Sequence, residues 1–185
     1  MKTELVDYFN KKFKKSISKK LYVSAFPENE RVPYSILISR MKKNKGEYYN
    51  IYEEEKYIGL IYNIVYKDIV YIYYFAIVEE LRHCGYGSKI LSLIKEKYKD
   101  KRICLMAETL DDKASNYLER VNRNKFYSKN GFMYLGYTIR EIDVVYDMLG
   151  TNKKVEKEEF KNLIHNYFGK FFYNKVYKKI SDIED

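Results

Sequence analysis

The residues whose types and spacing could bind a ligand or do chemistry gather in one stretch, Arg82-His83-Cys84-Gly85-Tyr86-Gly87-Ser88. It falls where an apolar, β-rich run, Ile69 to Val78, gives way to helical spacing that opens near Gly87. A strand that ends in a glycine-containing turn and opens a helix aims several backbone N–H groups, unpaired within the helix, at one place. The helix dipole makes that place favourable for an anion, and phosphate is the natural guest. Glycine at 85 and 87 keeps side chains out of the approach and tolerates a tight turn. No Gly-Lys-Ser/Thr follows, which argues against a P-loop, and the third glycine of a dinucleotide fingerprint would fall at Ile90. His83 and Cys84 invite a nucleophilic reading. Neighbours in sequence need not face each other, however, and the other histidine, His165, is far along the chain.

Hydrophobic period gives the elements that must hold this turn in place. Leu5, Phe9 and Phe13, at four-residue steps, predict a short amphipathic helix with the lysines of Lys11 to Lys20 around and after it. Leu21 to Phe26 predicts a helix end broken at Pro27, and Pro33 with Ile36, Leu37 and Met41 opens another helix. Three β-rich runs follow, Tyr48 to Tyr52, Tyr57 to Tyr66 and Ile69 to Val78. The charged turns Glu53-Glu54-Glu55-Lys56 and Lys67-Asp68 separate them, as in an antiparallel meander. Ile90, Leu91, Ile94 and Tyr98 keep helical spacing from Gly87 to about Asp100, and Ile103 to Ala107 is a short strand ending at Glu108. Strand, helix, strand in that order implies a crossover to a parallel neighbour, hence a mixed sheet. Ala114 to Asn130 is a charged helix expected to turn Tyr117, Leu118, Val121 and Phe126 to the core and to stop at Asn130-Gly131. Phe132 to Ile139 and Val144 to Leu149 close the sheet as an antiparallel pair. In the tail, Phe160, Leu163, Ile164, Tyr167 and Phe171 predict helix docked by its aromatic face, which could instead serve as a dimer face.

Composition bounds the function. The chain has 185 residues, enough for a proper core, and its 46% apolar content includes 22 Tyr and 10 Phe. A formal charge of +9 fits any polyanionic partner, but lysines and carboxylates alternate along the chain, which points to a generally lysine-rich surface. Two cysteines, Cys84 and Cys104, make no disulfide framework, and no Cys/His set has metal-ligand spacing. The apolar runs are far shorter than the roughly 20 residues of a membrane span. Met1 to Lys20 lacks the pattern of a signal peptide, so the cytoplasm is the expected compartment.

Arg82, Gly85 and Gly87 fill the pattern Arg/Gln-x-x-Gly-x-Gly/Ala, which resembles the acyl-CoA pyrophosphate loop of the GNAT superfamily of N-acyltransferases. A second stretch, Phe126-Tyr127-Ser128-Lys129-Asn130-Gly131-Phe132, resembles the superfamily's aromatic-Tyr-x-x-x-Gly-Phe motif at the end of the helix after the fifth strand. With matching element order between them, the likeness runs from about Leu21 to Leu149. It implies an α/β (α+β) fold, a mixed and mostly antiparallel central sheet flanked by helices, here with an added C-terminal helical segment. It also implies acetyl-CoA as acyl donor, with no metal. The backbone of Phe75, Ala76 and Ile77 would then meet the pantetheine arm beside a bulge, and the amides of His83, Cys84, Gly85, Tyr86, Gly87 and Ser88 would take the pyrophosphate. Tyr127 would be the general acid for the departing thiolate. Glu108 resembles a glutamate that serves some members as base, with Glu79 and Glu80 as competitors. One departure stands out, because Arg120 and Arg123 occupy positions where members often carry Asn and Ala. Those arginines could meet phosphate or a substrate carboxylate.

The expected function is therefore transfer of an acetyl group directly to a primary amine of a small molecule or protein. Glu28, Glu30, Glu141 and Asp143 are placed to attract a cationic acceptor. The alternative is a non-catalytic module that binds acyl-CoA, or that holds nucleic acid through Lys11 to Lys20. Neither a membrane nor nucleic acid is the expected partner. The expected organisation is an acyltransferase domain over residues 1–150 with a helical extension, 151–185, packed on it.

Overall fold

The computed structural model describes residues 2–10, 15–28, 30–141, 144–151 and 153–169. Its architecture is mixed α/β, a seven-stranded, mostly antiparallel sheet with helices on it, as the sequence predicts. The chain divides into two compact units, Met1–Val65 with Ile72–Lys99, and Tyr66–Tyr71 with Asp100–Asp185.

The first unit holds β1 (Thr3–Asp7), α1 (Lys15–Ala25), α2 (Tyr34–Lys42), β2 (Gly46–Glu53), β3 (Lys56–Tyr66), most of β4 (Ile69–Ile77) and α3 (Tyr86–Lys97). Its strands run β1-β2-β3-β4. The helix expected over Leu5 and Phe9 is instead β1, paired antiparallel with β2 from Thr3↔Glu53 to Asp7↔Tyr49. The free edge of β2 supplies a ladder that a four-residue apolar spacing cannot outweigh, and Phe9 stays 43% exposed. Phe13 lies outside the described residues.

Tyrosine fills this unit's core without stranding polar atoms at several key positions. Tyr22, Tyr48 and Tyr62 are fully buried. The Tyr22 hydroxyl donates to the Val32 carbonyl at 2.7 Å, Ser18 donates to Tyr48 at 2.6 Å, and Tyr62 donates to the Leu37 carbonyl at 3.3 Å. Tyr74 accepts from the Val32 amide and donates to the Glu30 carbonyl, both at 3.1 Å. Each ring therefore buries apolar area while its hydroxyl fastens α1, α2 or the loop between them.

The second unit holds β5 (Arg102–Glu108), α4 (Tyr117–Lys129), β6 (Met133–Glu141), β7 (Val144–Gly150) and α5 (Lys157–Phe168). Its strands run β5-β7-β6, and both β5–β7 and β6–β7 are antiparallel. The expectation that α4 would bury Tyr117, Leu118, Val121 and Phe126 fails. None of its residues is buried, and Leu118 is 74% exposed. These four positions spread over about half of the helix circumference instead of forming one stripe. Polar ties, described below, hold α4 to the end of β5.

Helix α5 does follow its pattern, burying Phe160, Leu163, Ile164 and Tyr167, with Phe160 edge-on to Tyr71 at 4.9 Å. Phe171 lies outside the described residues. Arg102, at the start of β5, ties this helix down. Its guanidinium donates to both oxygens of Asp68 and both of Glu159 at 2.7 to 3.0 Å, and to the Lys154 carbonyl at 2.9 Å.

Candidate active site

In the first unit, β4 ends at Ile77 and a short helical turn, Glu79–Leu81, leads into Arg82 to Gly85, all four exposed. His83 (φ 63°) and Gly85 (φ 81°) both adopt the left-handed conformation, which sharpens the turn, and Gly85 stands at the N-cap of α3. The first amide bonded within the helix is that of Lys89, which donates to the Gly85 carbonyl at 3.2 Å. The amides of Tyr86, Gly87 and Ser88 precede it and have no carbonyl four residues back inside the helix. No side chain caps this terminus and its first turn carries no carboxylate, so nothing in α3 competes with an anion there. Helix α5 shows the contrast, since Glu156 and Glu159 close its N-terminus with a capping box. Arg82 donates its Nε to the Ile77 carbonyl at 3.4 Å, and Cys84 Sγ approaches the Arg82 carbonyl at 3.5 Å.

A residue that the sequence left in a solvated turn fixes the start of α3. Glu53, the last residue of β2, is only 9% exposed. Its carboxylate accepts from the Tyr86 hydroxyl at 2.8 Å, from Thr3 Oγ1 at 3.1 Å and from Lys89 Nζ at 3.4 Å. Tyr86's hydrogen bond, foremost, holds the Glu53 carboxyl below the usual carboxylate range. Local period held no signal for this, since β2 is buried at every position from Tyr48 to Glu53 and alternation does not single Glu53 out.

In the second unit, the Tyr127 motif has a mechanical explanation. Asn130 is the C-cap of α4 and Gly131 follows with φ 77°. The Phe132 amide donates to the Tyr127 carbonyl at 3.1 Å and the Gly131 amide to the Ser128 carbonyl at 2.9 Å. Those are the two bonds of a Schellman stop, and the rings of Tyr127 and Phe132 meet at 5.8 Å, the apolar contact that accompanies it. The spacing Tyr-x-x-x-Gly-Phe thus fixes where Tyr127 sits on the last turn. Desolvation raises the Tyr127 phenol above its usual value, while the charge of Arg123 pulls the other way, so the group keeps its proton at neutral pH.

Glu108, at the end of β5, is buried. Its Oε1 receives Asn116 Nδ2 at 3.2 Å and Arg120 Nη2 at 3.0 Å, and its Oε2 receives Asn116 Nδ2 at 3.3 Å and Arg123 Nη1 at 2.5 Å. Arg120 also donates to Asn116 Oδ1 at 2.8 Å and to the Thr109 carbonyl at 3.0 Å. The arginines considered for phosphate or substrate thus bind Glu108, and together they fasten the bare flank of α4 to β5. Three nitrogens, two of them on cations, thus surround the two carboxylate oxygens. Of the other carboxylates singled out, Glu28, Glu30, Glu79 and Glu80 are exposed, and Asp143 lies outside the described residues. Among the described residues no group of His, Cys, Asp and Glu is placed to hold a metal ion, and no helix is long and apolar enough to cross a membrane.

Solved structures share this fold. A GNAT-family protein from Bacteroides thetaiotaomicron superposes with a TM-score of 0.72 over 93% of this chain and 98% of its own, at 18% identity. An aminoglycoside 6'-N-acetyltransferase complexed with coenzyme A gives 0.62 over 84% and 100%, at 13% identity. A GNAT acetyltransferase from Elizabethkingia anophelis with acetyl-CoA bound gives 0.57 over 82% and 98%, at 14% identity. Among curated proteins, none matches the sequence. The fold is therefore that of the GNAT acetyltransferases. Residues 44–134, which run from the start of the meander through the Tyr127 stop, match the model of the acetyltransferase (GNAT) domain, so the chain carries an acetyltransferase domain of that family.

Proposed function

We propose that the protein moves the acetyl group of acetyl-CoA directly to a primary amine of a small molecule or protein in the cytoplasm. The observation that carries this reading is the uncapped N-terminus of α3 behind two left-handed residues, in a chain with a GNAT domain. The amides of His83, Cys84, Gly85, Tyr86, Gly87 and Ser88 take the pyrophosphate, whose negative charge the helix terminus favours. Phe75, Ala76 and Ile77 lie just before this turn and offer backbone groups to the pantetheine arm.

The neutral amine attacks the thioester carbonyl carbon, the tetrahedral intermediate collapses with loss of the C–S bond, and the thiolate takes the Tyr127 proton. A phenol that keeps its proton at neutral pH is available as the donor. The transfer to a thiolate whose thiol has a pKa of about 8.5, against about 10 for tyrosine, is uphill by roughly 2 kcal/mol, a cost that the breaking of the C–S bond and release of the thiol must carry. Solvent returns a proton to Tyr127, and the product amide sheds its own to water. Glu108 better fits an anchor for α4 than the base the sequence suggested, because its acceptor positions are filled. An amine acceptor is in keeping with the aminoglycoside enzyme of the same fold.

The test is an acetyl-CoA thiol-release assay over a panel of small amines and lysine peptides, after a thermal-shift titration with acetyl-CoA. A stabilising shift and turnover with at least one amine are expected. No shift at saturating acetyl-CoA would refute the reading.

A further inference from the structure

Gly59 lies inside β3, buried, where a strand normally carries a side chain. A Cβ placed on it would stand 2.2 Å from the carbonyl oxygen of Ala76, 3.1 Å from Ile77 Cα and 3.2 Å from the Ala76 carbonyl carbon. All three are backbone atoms of β4, so no rotamer change can relieve the clash. In a regular ladder carbonyls lie in the sheet and side chains stand perpendicular to it. The Ala76 carbonyl therefore occupies the space a side chain at position 59 would fill. Just beyond the end of β4, the Val78 amide donates to the Ile58 carbonyl at 3.0 Å. The chain has no cis peptide bond among the described residues, and in a trans peptide the C=O and N–H point opposite ways. With the Ala76 carbonyl turned onto Gly59, the Ile77 N–H is turned away from it.

We propose that Gly59 is a positioning residue for the acyl donor: its missing side chain lets the Ala76–Ile77 peptide rotate and present the Ile77 N–H to the pantetheine and thioester end of acetyl-CoA. This rests on the proposed function and adds a determinant on the neighbouring strand. A glycine inside a strand is known to mark close backbone approach or a bulge.

The test compares Gly59→Ala with Gly46→Ala and the wild type, using calorimetric acetyl-CoA binding, thermal unfolding and steady-state kinetics. Gly46→Ala serves as a packing control in the same unit, because the three atoms nearest to a Cβ there all belong to the Tyr62 side chain, its hydroxyl at 2.0 Å. Gly59→Ala should bind acetyl-CoA about tenfold or more weakly, the worth of one backbone hydrogen bond in a ligand site. Its KM for acetyl-CoA should rise, while Gly46→Ala keeps wild-type affinity whatever its Tm. Wild-type affinity in a folded Gly59→Ala protein would overturn the proposal and leave the acetyltransferase reading intact. Should Gly59→Ala not fold, the Ile77 amide resonance of the ¹⁵N-labelled wild type decides. It should shift on acetyl-CoA titration, and an unmoved resonance at saturation would overturn the proposal.

Discussion

Replacing Glu108 with glutamine keeps the size of the side chain but turns one acceptor oxygen into a donor among donors. Three nitrogens converge on the carboxylate, Asn116 Nδ2 shared between both oxygens, Arg120 Nη2 and Arg123 Nη1. The two cations differ in their recourse to water, since the Arg123 side chain is 40% exposed and that of Arg120 only 14%. Arg123 can resolvate, so its pair contributes at most about 1 kcal/mol. Arg120 cannot do so fully, and losing a charge-assisted bond to a largely buried partner costs about 1.5 to 3 kcal/mol. The sum for Glu108→Gln is about 1.5 to 4 kcal/mol, or a Tm lower by roughly 3 to 16 °C for a chain of this size. Thermal unfolding followed by circular dichroism, alongside acetyl-CoA turnover with a saturating amine, separates the two roles. An anchor predicts the Tm loss together with a pH–rate profile that keeps its limbs. Unchanged Tm with kcat down by about 10²-fold or more, the range for a lost general base, would refute the anchoring argument and return Glu108 to proton transfer.

Tyr127→Phe keeps the ring contact with Phe132 while removing the hydroxyl. Acetyl-CoA affinity should hold while kcat falls by about 10² to 10⁴-fold, and unchanged turnover would remove Tyr127 from the mechanism. Gly131→Ala meets no atom within 4 Å, so its cost is that of φ 77° alone, about 1 to 2 kcal/mol by chemical denaturation. Loosening the stop should also lower kcat more than it raises KM for acetyl-CoA. Arg102→Ala removes ties to Asp68 and Glu159, whose side chains are 56% and 40% exposed, and a bond to the Lys154 carbonyl. The loss should be about 2 kcal/mol at pH 7. Arg102 holds both carboxyls below their ordinary values, so their contribution is complete above the unfolded carboxylate pKa and is lost as pH falls through the folded ones. The Tm gap between wild type and Arg102→Ala should therefore narrow below about pH 4, and a constant gap would count against the ion pairs.

The β-meander, the helix after Gly85, the short strand ending at Glu108, the closing hairpin and α5 were all legible because each is written in local period and local turn chemistry. The Tyr127 stop was legible for the same reason, as a Schellman cap is complete within six residues. Other features depend on partners distant in sequence. β1 exists because the edge of β2 accepts it from some fifty residues away, which the local spacing of Leu5 and Phe9 cannot register. Leu118 looked apolar enough to be buried, but the surface of α4 that meets β5 is charged and bonded to Glu108. Glu53 looked like a solvated turn until Thr3, Tyr86 and Lys89 closed around it.

The sequence by itself determined that an anion-seeking helix terminus stands at Arg82 to Ser88 and that a tyrosine sits on a glycine-stopped helix, because glycine placement and apolar period are properties of neighbouring residues. Only the tertiary structure decided that Glu53 braces that terminus, that Glu108 is filled by arginines, and that Gly59 receives the Ala76 carbonyl. Those outcomes turn on which charges and backbones meet across the fold, and hydrogen bonds and close contacts are short-ranged, so they exist only once folding has brought distant residues within a few ångströms.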